Sequence, residues 1–261
     1  MDANERFSRQ RDIVPLERLA ACKITVIGLG AIGRQVALQL AALGAPRMQL
    51  VDFDKVEPSN LSSQGFLEKD LKKPKVEAVA GLCREINNKL ELEPLAERFK
   101  KSRPVGNVIF CCVDSIETRR QIWQAVCQKA DFFADGRMAA EVLRVVTVAE
   151  MNGRWCYDTT LFNGEEAYAG PCTAKSTIYC ANIAAGMMLS QFTKWLRRLP
   201  VDFDCQLNLL SGELTVFPPA VGQDRNNFPR NGGISDDRPS LREPDEPVSP
   251  VQPEVPVPVP R

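Results

Sequence analysis

The residues best suited to chemistry begin with a glycine-rich turn near the start of the chain. Gly28, Gly30 and Gly33 follow an apolar run and open a helical pattern. Glycines at this spacing let the backbone approach a phosphate, and the N-terminus of the following helix favours its negative charge. Asp52 ends the next apolar run, where a carboxylate can accept hydrogen bonds from ribose hydroxyls. These residues predict a nucleotide site but do not distinguish ATP from a nicotinamide dinucleotide.

Composition excludes several other kinds of chemistry. The 261 residues include no histidine, which excludes Ser-His-Asp hydrolysis, Cys-His proteolysis and histidine-ligated zinc catalysis by this chain alone. The formal net charge is +0, so we expect neither a nucleic acid nor a membrane partner. No signal peptide or membrane-length apolar run is visible. We therefore expect a cytoplasmic protein whose nine cysteines are thiols.

Charged and amide side chains follow Asp52 and recur at the ends of later elements. Lys75 opens a predicted helix, and Asp114 ends a predicted strand. Taken singly, such residues are typical of solvated surfaces, and Asn60 alone is typical of a turn. The segments that carry them are Asp52-Phe53-Asp54-Lys55-Val56, Ser59-Asn60-Leu61-Ser62-Ser63-Gln64, Pro74-Lys75, Cys112-Val113-Asp114 and, ahead of the glycines, Arg6-Phe7-Ser8-Arg9-Gln10.

These five segments, in this order, resemble the signature of the ThiF/MoeB and ubiquitin-activating superfamily of adenylating enzymes. The family pattern is Arg-x-x-Arg-Gln, the glycine turn, Asp-x-Asp-x-Val, Ser-Asn-Leu-x-Arg-Gln, a lysine and an aspartate. The resemblance covers about residues 5–217 and implies ATP with Mg²⁺ as the nucleotide. It also implies a homodimer. One departure is plain, because Ser63 stands where the family has an arginine; Lys72, Lys73 or Arg137 are candidates to replace that cation.

The resemblance also assigns a role to each matching position. The nucleotide would be held by the three glycines together with carboxylate and amide side chains, and the phosphates would be neutralised by a lysine and a metal ion. An arginine would reach into the partner subunit's site. The implied roles are ribose binding for Asp52, lining of the ATP pocket for Asp54, Asn60 and Gln64, phosphate binding for Lys75, magnesium binding for Asp114, and the cross-subunit contact for Arg9.

One cysteine stands apart from the others. Cys172 lies in a Gly-Pro-Cys-Thr sequence at the predicted start of a long helix, where the helix dipole would favour a thiolate. It resembles the thioester-forming cysteine of autophagy-type and related single-domain activating enzymes. The alternatives are a structural role for Cys172, or a nucleophile at Cys180, predicted two turns inside the helix, or at Cys156, predicted on a strand beside Trp155. Because the chain has no Cys-x-x-Cys pair, we predict no zinc site.

The resemblance implies an enzyme that activates a ubiquitin-like protein. It would adenylate the C-terminal glycine of that partner, capture it as a thioester on Cys172 and pass it to a conjugating enzyme. The close alternative is a sulfur-carrier-protein adenylyltransferase with no thioester step. Two other classes stay open: an NAD-dependent oxidoreductase, and a non-catalytic scaffold suggested by Ser63. Adenylation itself needs no imidazole, because a C-terminal carboxylate is already ionised at neutral pH.

Alternating strand and helix patterns position these residues in an α/β fold. We predict a Rossmann-like doubly wound sheet extended by antiparallel strands, spanning 1–217, and a disordered Pro-rich tail over 218–261 that holds eleven of the nineteen prolines. A hairpin within 140–160 is expected to turn at Asn152-Gly153. The predicted strands are 23–28, 48–52, 107–113, 206–210 and 213–217, and the predicted helices are 31–44, 73–88, 117–129 and about 173–198.

Overall fold

The computed structural model describes residues 3–149, 154, 156–162 and 176–218. All of them lie within the compact unit Met1–Val221. Three predictions fall outside the described residues: the turn at Asn152-Gly153, the local structure at Cys172, and nearly all of the Pro-rich tail. The division of the chain at 217 stays a prediction.

The described chain is organised around one eight-stranded sheet in the order β3-β2-β1-β4-β5-β6-β7-β8. The five strands β3, β2, β1, β4 and β5 are parallel, and β5 to β8 pair antiparallel in sequence order. The predicted fold class is confirmed. The strands are β1 (Ile24–Ile27), β2 (Arg47–Val51), β3 (Glu91–Leu95), β4 (Val108–Cys111), β5 (Phe132–Ala139), β6 (Val142–Val148), β7 (Asp204–Asn208) and β8 (Glu213–Phe217).

Helices cover both faces of the parallel half, as the alternation of patterns predicts. Short 3-10 turns occur at Ser8–Gln10, Glu68–Asp70 and Asp158–Thr160. The α-helices are α1 (Ala3–Arg6), α2 (Leu16–Ala20), α3 (Ala31–Leu43), α4 (Pro58–Gln64), α5 (Lys75–Ile86), α6 (Ile116–Val126) and α7 (Ile178–Leu196). In the part of the chain that is described, no helix combines the length and the apolar character needed to cross a membrane.

Two apolar clusters hold the helices to the sheet. The larger cluster joins α3, α5 and α7 to one face of the sheet. The smaller one joins α6 to the other face, where Trp123 packs against Phe133 and Tyr157 with tilted rings and centroids 5.0 and 4.5 Å away. β1 and β4 are buried along their whole length because helices cover both of their faces. Gly44 ends α3 in the left-handed conformation expected of a helix C-terminal glycine.

The antiparallel half differs from the prediction in its pairing. β6 was expected to form a hairpin with the residues just after Asn152-Gly153, but its hairpin partner is β5, which precedes it, with the turn at Ala140 and Glu141. On its other side β6 pairs with β7, which follows much later in the chain. β5 was not predicted, because Asp135, Gly136 and Arg137 interrupt its apolar pattern. β3 also escaped prediction; it contains Pro94, which an edge strand tolerates.

Candidate nucleotide-binding site

The glycine turn joins the end of β1 to the start of α3. Gly28 has φ +86°, and a Cβ there would lie 2.8 Å from the Cys112 carbonyl carbon at the end of β4. A Cβ at Gly33 would overlap the carbonyl oxygen of Gly28. Gly30 directly precedes α3, and a Cβ added there would come no nearer than 3.9 Å to its closest neighbours, the Gln64 side-chain amide atoms. The turn therefore has no room for a side chain at Gly28 or Gly33, whereas its surface at Gly30 is open.

Asp52 fixes this turn through its carboxylate. Its Oδ2 accepts the Leu29 N–H at 2.6 Å, and its Oδ1 accepts the Asp54 N–H at 2.8 Å. Burial raises the pKa of Asp52, while the two backbone hydrogen bonds and Lys75 oppose that shift. Each carboxylate oxygen has a second lone pair, so ribose binding by Asp52 is compatible with this arrangement and stays a prediction.

Lys75 and Asp54 form an ion pair beside the turn. The Lys75 Nζ lies 3.1 Å from Asp54 Oδ2, and the Asp54 carbonyl accepts the Lys75 N–H at 2.9 Å. The lysine side chain is 8% exposed, whereas the aspartate side chain is 46% exposed. Lys75 is the first residue of α5, where the helix N-terminus disfavours a cation. The structure thus brings these two predicted site residues together and leaves the carboxylate open to solvent.

The segment with Asn60 and Gln64 is a short helix that was not predicted. Asn60 caps this helix, α4, since its side chain accepts the Glu57 N–H at 3.0 Å. This capping bond explains Asn60 structurally, and a contact with ATP stays a prediction. The Ser63 hydroxyl donates to the Ser59 carbonyl at 2.8 Å, so this position supplies no charge. Gln64 Oε1 is buried without a hydrogen-bond partner and lies near Gly30.

Two of the cations suggested to replace the missing arginine are already engaged. Lys73 pairs with Asp70 at 3.1 Å. Arg137 binds Asp135 at 2.7 Å and donates to the Thr160 carbonyl at 2.6 Å. Lys72 is exposed with φ 68°. The buried Asp135 holds the Arg137 guanidinium, so Arg137 would have to leave this ion pair to bind phosphates; its role as the compensating cation stays a prediction.

Asp114 lies just beyond β4, the strand next to β1. The Cys112 N–H donates to the Ile27 carbonyl at 2.8 Å, which keeps the ends of the two strands together. Asp114 is exposed, and no ion pair involves it among the described residues. In the same described part of the chain, no cluster of three or more His, Cys, Asp or Glu side chains could hold a metal by itself. Magnesium binding by Asp114 stays a prediction; Mg²⁺ in proteins commonly uses one or two carboxylates, substrate phosphates and water.

A buried charge cluster beneath the site was missed by sequence reasoning. Asp135 is 0% exposed and pairs with both Arg119 and Arg137. Its Oδ2 also accepts the Tyr157 hydroxyl at 2.8 Å. Arg119 donates to the Val113 carbonyl, next to Asp114, and burial lowers its pKa. The only signal in the sequence is that charged residues interrupt a strand, and that signal does not identify their partners.

Arg9 lies at the opposite end of α3 from the glycine turn. The side chain of its neighbour, Gln10, donates to the Leu43 carbonyl at 2.7 Å, and Phe7 packs on Gly44. The 13 residues of α3 span about 20 Å, more than an arginine side chain can reach. The structure therefore does not bring Arg9 to the glycine turn of its own chain.

Three of the cysteine predictions need correction. α7 begins at Ile178 with Thr177 as its N-cap, so Cys172 is not at the helix start; Cys172 itself lies outside the described residues. Cys180 is in the first turn of α7, fully buried, instead of two turns inside. Cys156 is helical and buried, not on a strand. The predicted helix began too early, at about residue 173. The actual start is set by the Thr177 side chain, which accepts the Cys180 N–H at 3.4 Å and caps the helix.

Burial disfavours the thiolate form at most of the other cysteines. It raises the pKa of the Cys22 and Cys205 thiols to about 11, and that of Cys83 to about 12. The pKa values of four further thiols are also raised, with burial as the main cause, at Cys111, Cys112, Cys127 and Cys180.

Comparisons with known proteins identify the family. The profile of the ThiF family matches residues 5–220. The sulfur carrier protein ThiS adenylyltransferase of Escherichia coli is 32% identical over 133 residues, 47% of this chain and 53% of that protein. The catalytic subunit of the NEDD8-activating enzyme E1 of Caenorhabditis elegans is 31% identical over 129 residues, 46% of this chain and 29% of that protein. The chain spans about half, or less, of the length of the curated relatives it matches.

A solved structure shares the fold at low sequence identity. The E. coli protein MccB, crystallised with MccA-N7isoASN, superposes with a TM-score of 0.71 at 15% identity, covering 84% of this chain and 72% of MccB. At that identity the likeness concerns the fold alone.

Proposed function

The chain belongs to the ThiF family, and on that premise we propose that it is an ATP-dependent adenylyltransferase acting on a protein carboxylate. The observation that carries this proposal is that three features lie together at the carboxyl ends of the parallel strands. The glycine turn follows β1, Asp52 and the Asp54–Lys75 pair follow β2, and Asp114 follows β4. Parallel neighbours bring these ends together, where α/β sheets bind their ligands.

The reaction needs positioning and charge neutralisation more than proton transfer. A carboxylate oxygen of the acceptor attacks the α-phosphorus of ATP, the bond to the β-phosphate oxygen breaks, and pyrophosphate leaves with that electron pair. The backbone N–H groups at the start of α3 face the phosphates, and Lys75 neutralises charge that develops on them. Mg²⁺, held by Asp114, would neutralise further phosphate charge. The acceptor is already an anion, so the absence of histidine is no obstacle.

The acceptor we propose is the C-terminal glycine of a small protein with a ubiquitin-like fold. Support comes from two relatives, whose names identify their partners as ThiS, a sulfur carrier, and NEDD8. Because a terminal glycine has no side chain, its carboxylate can approach the α-phosphate across the open surface of the turn at Gly30.

The fate of the adenylate divides this proposal into two versions. In the first, the Cys172 thiolate attacks the acyl carbon, AMP leaves, and the resulting thioester passes to a conjugating enzyme. Seven of the nine thiols are disfavoured as nucleophiles by raised pKa values, as described above, and Cys156 is buried; this leaves Cys172 as the best candidate. In the second version, a sulfur donor takes the acyl group directly and Cys172 has a structural role.

A homodimer with composite sites completes the proposal. The position of Arg9, at the far end of α3 from the glycine turn, supports a contribution to the partner subunit's site instead of its own. A symmetric dimer would place each Arg9 in the opposite site.

Exchange of labelled pyrophosphate into ATP tests the adenylation step. With a glycine-terminated partner protein, the wild-type chain should catalyse exchange, and Asp114→Ala should abolish it with an unchanged melting temperature because Asp114 is exposed. Glu117→Ala, an exposed acid three residues further along, is the matched control and should retain exchange. Tight NAD binding without ATP binding would favour the oxidoreductase, and ATP binding without exchange would favour a non-catalytic scaffold.

A further inference from the structure

Phe53 is an exposed aromatic residue set between two acids of the candidate site. Asp52 on one side points at the glycine turn, and Asp54 on the other side pairs with Lys75. Phe53 itself is 49% exposed, at the edge of the sheet where the nucleotide is proposed to bind. No role for this ring follows from the core, since it belongs to neither of the apolar clusters.

Arg98 stacks on the Phe53 ring. Its guanidinium carbon lies 3.7 Å from the ring centroid, well within the range of a cation–π contact. The contact follows from the strand pairing, because the Asp52 N–H donates to the Leu95 carbonyl at 3.2 Å and extends the β2–β3 ladder one residue past β2. Arg98 comes three residues after Leu95 and is thereby brought to the same edge as Phe53.

The charge of Arg98 is not used in an ion pair within the described part of the chain. The adjacent acid, Glu97, pairs instead with Lys100 at 2.7 Å and with Arg103. A guanidinium held over a phenyl ring presents planar groups that can stack on heteroaromatic rings, as arginine and aromatic side chains do with nucleobases.

We propose that Phe53 and Arg98 form the base-stacking platform of the nucleotide site. This inference rests on the proposed function and extends it to the purine ring. Phe53 is the next residue after Asp52, with Cα atoms about 3.8 Å apart, and a base is attached directly to the ribose that Asp52 would hold. A nucleotide with its phosphates at the glycine turn therefore places its base beside Phe53.

Titration calorimetry with Mg²⁺ and three probes, namely ATP, AMP and inorganic tripolyphosphate, separates base stacking from phosphate binding. Phe53→Ala and Phe53→Leu should bind ATP and AMP about tenfold more weakly. Both variants should bind tripolyphosphate as the wild type does. Phe53→Tyr keeps the ring and should keep the affinity, and Arg98→Gln should lose part of it. Phe217→Ala, on β8 at the far end of the strand order from β2 and 44% exposed, is the matched control and should bind all three probes normally.

Two results with Phe53→Ala would overturn the platform while leaving the proposed function intact. One is unchanged ATP affinity in Phe53→Ala; the other is an equal loss for ATP and tripolyphosphate, which would indicate a general distortion of the site. Wild-type protein that binds tripolyphosphate but shows no preference for ATP over it would also overturn the platform. Wild-type protein that binds no ATP at all would overturn the proposed function together with this inference.

Discussion

The Lys75 ammonium lies 3.1 Å from the Asp54 carboxylate, and the lysine side chain is almost completely buried. A second lysine, Lys73, makes an ion pair of the same length, but its own side chain is more exposed. Lys73 pairs with Asp70 at 3.1 Å, and its side chain is 50% exposed. Only the Lys75–Asp54 pair stands beside the glycine turn. The two lysines therefore provide a matched comparison of a site cation with a surface cation.

Lys75→Met should reduce the rate of pyrophosphate exchange about 100-fold, because it removes a cation that would stabilise charge on the phosphates. Lys73→Met should leave the rate within about twofold, since its ammonium pairs with Asp70 and not with a residue of the candidate site. Circular dichroism melting of both variants checks that the fold is intact. Equal exchange rates for the two variants would contradict a role for Lys75 in phosphate binding.

Mixed dimers test whether Arg9 acts in the partner subunit's site. Arg9→Ala and Asp114→Ala should each be inactive alone. Equimolar mixing after subunit exchange should restore about a quarter of wild-type exchange, because half of the dimers are mixed and each of these has one intact site. Size-exclusion chromatography with light scattering measures the oligomeric state in parallel. A fully active monomer would exclude the composite site.

The covalent step predicts an adduct that depends on Cys172. With ATP and the partner protein, a reductant-sensitive adduct should appear on non-reducing gels, and Cys172→Ala should remove it while keeping pyrophosphate exchange. Cys180→Ala should keep the adduct, because burial raises the pKa of that thiol and disfavours its thiolate. An adduct that is lost in Cys156→Ala or Cys180→Ala but not in Cys172→Ala would reassign the nucleophile. Exchange without any adduct would favour the sulfur-carrier version.

The buried Asp135 should contribute strongly to stability. Asp135→Ala leaves Arg119 and Arg137 without their shared counter-charge and should lower the free energy of unfolding by about 3–5 kcal/mol. Asp202→Ala, which breaks the half-exposed pair with Lys194, should cost about 1 kcal/mol or less. Urea unfolding measures both. If Asp135→Ala does not fold, Asp135→Asn provides the comparison, and a loss no larger than that of Asp202→Ala would contradict the argument.

The sequence by itself determined the glycine turn and the central strands of the parallel half of the sheet. The apolar runs at 23–28 and 107–113 contain the buried strands β1 and β4, and the spacing of Gly28, Gly30 and Gly33 places the turn that joins β1 to α3. This information is local, because a strand covered on both faces must be continuously apolar and a tight turn needs glycine. The acids that follow β2 and β4 come to the same edge for the same reason, since their strands are parallel neighbours of β1.

Only the tertiary structure decided which polar groups are already paired. Arg137 is one of several cations in the sequence, but its commitment to Asp135 depends on a residue buried beneath the sheet edge and on Thr160 from a later segment. The pairing of β6 with β5, and the start of α7 at Ile178, were likewise settled by long-range packing and by the Thr177 cap. The stacking of Arg98 on Phe53 requires the register of β2 against β3, and a pattern of residue types does not contain that register.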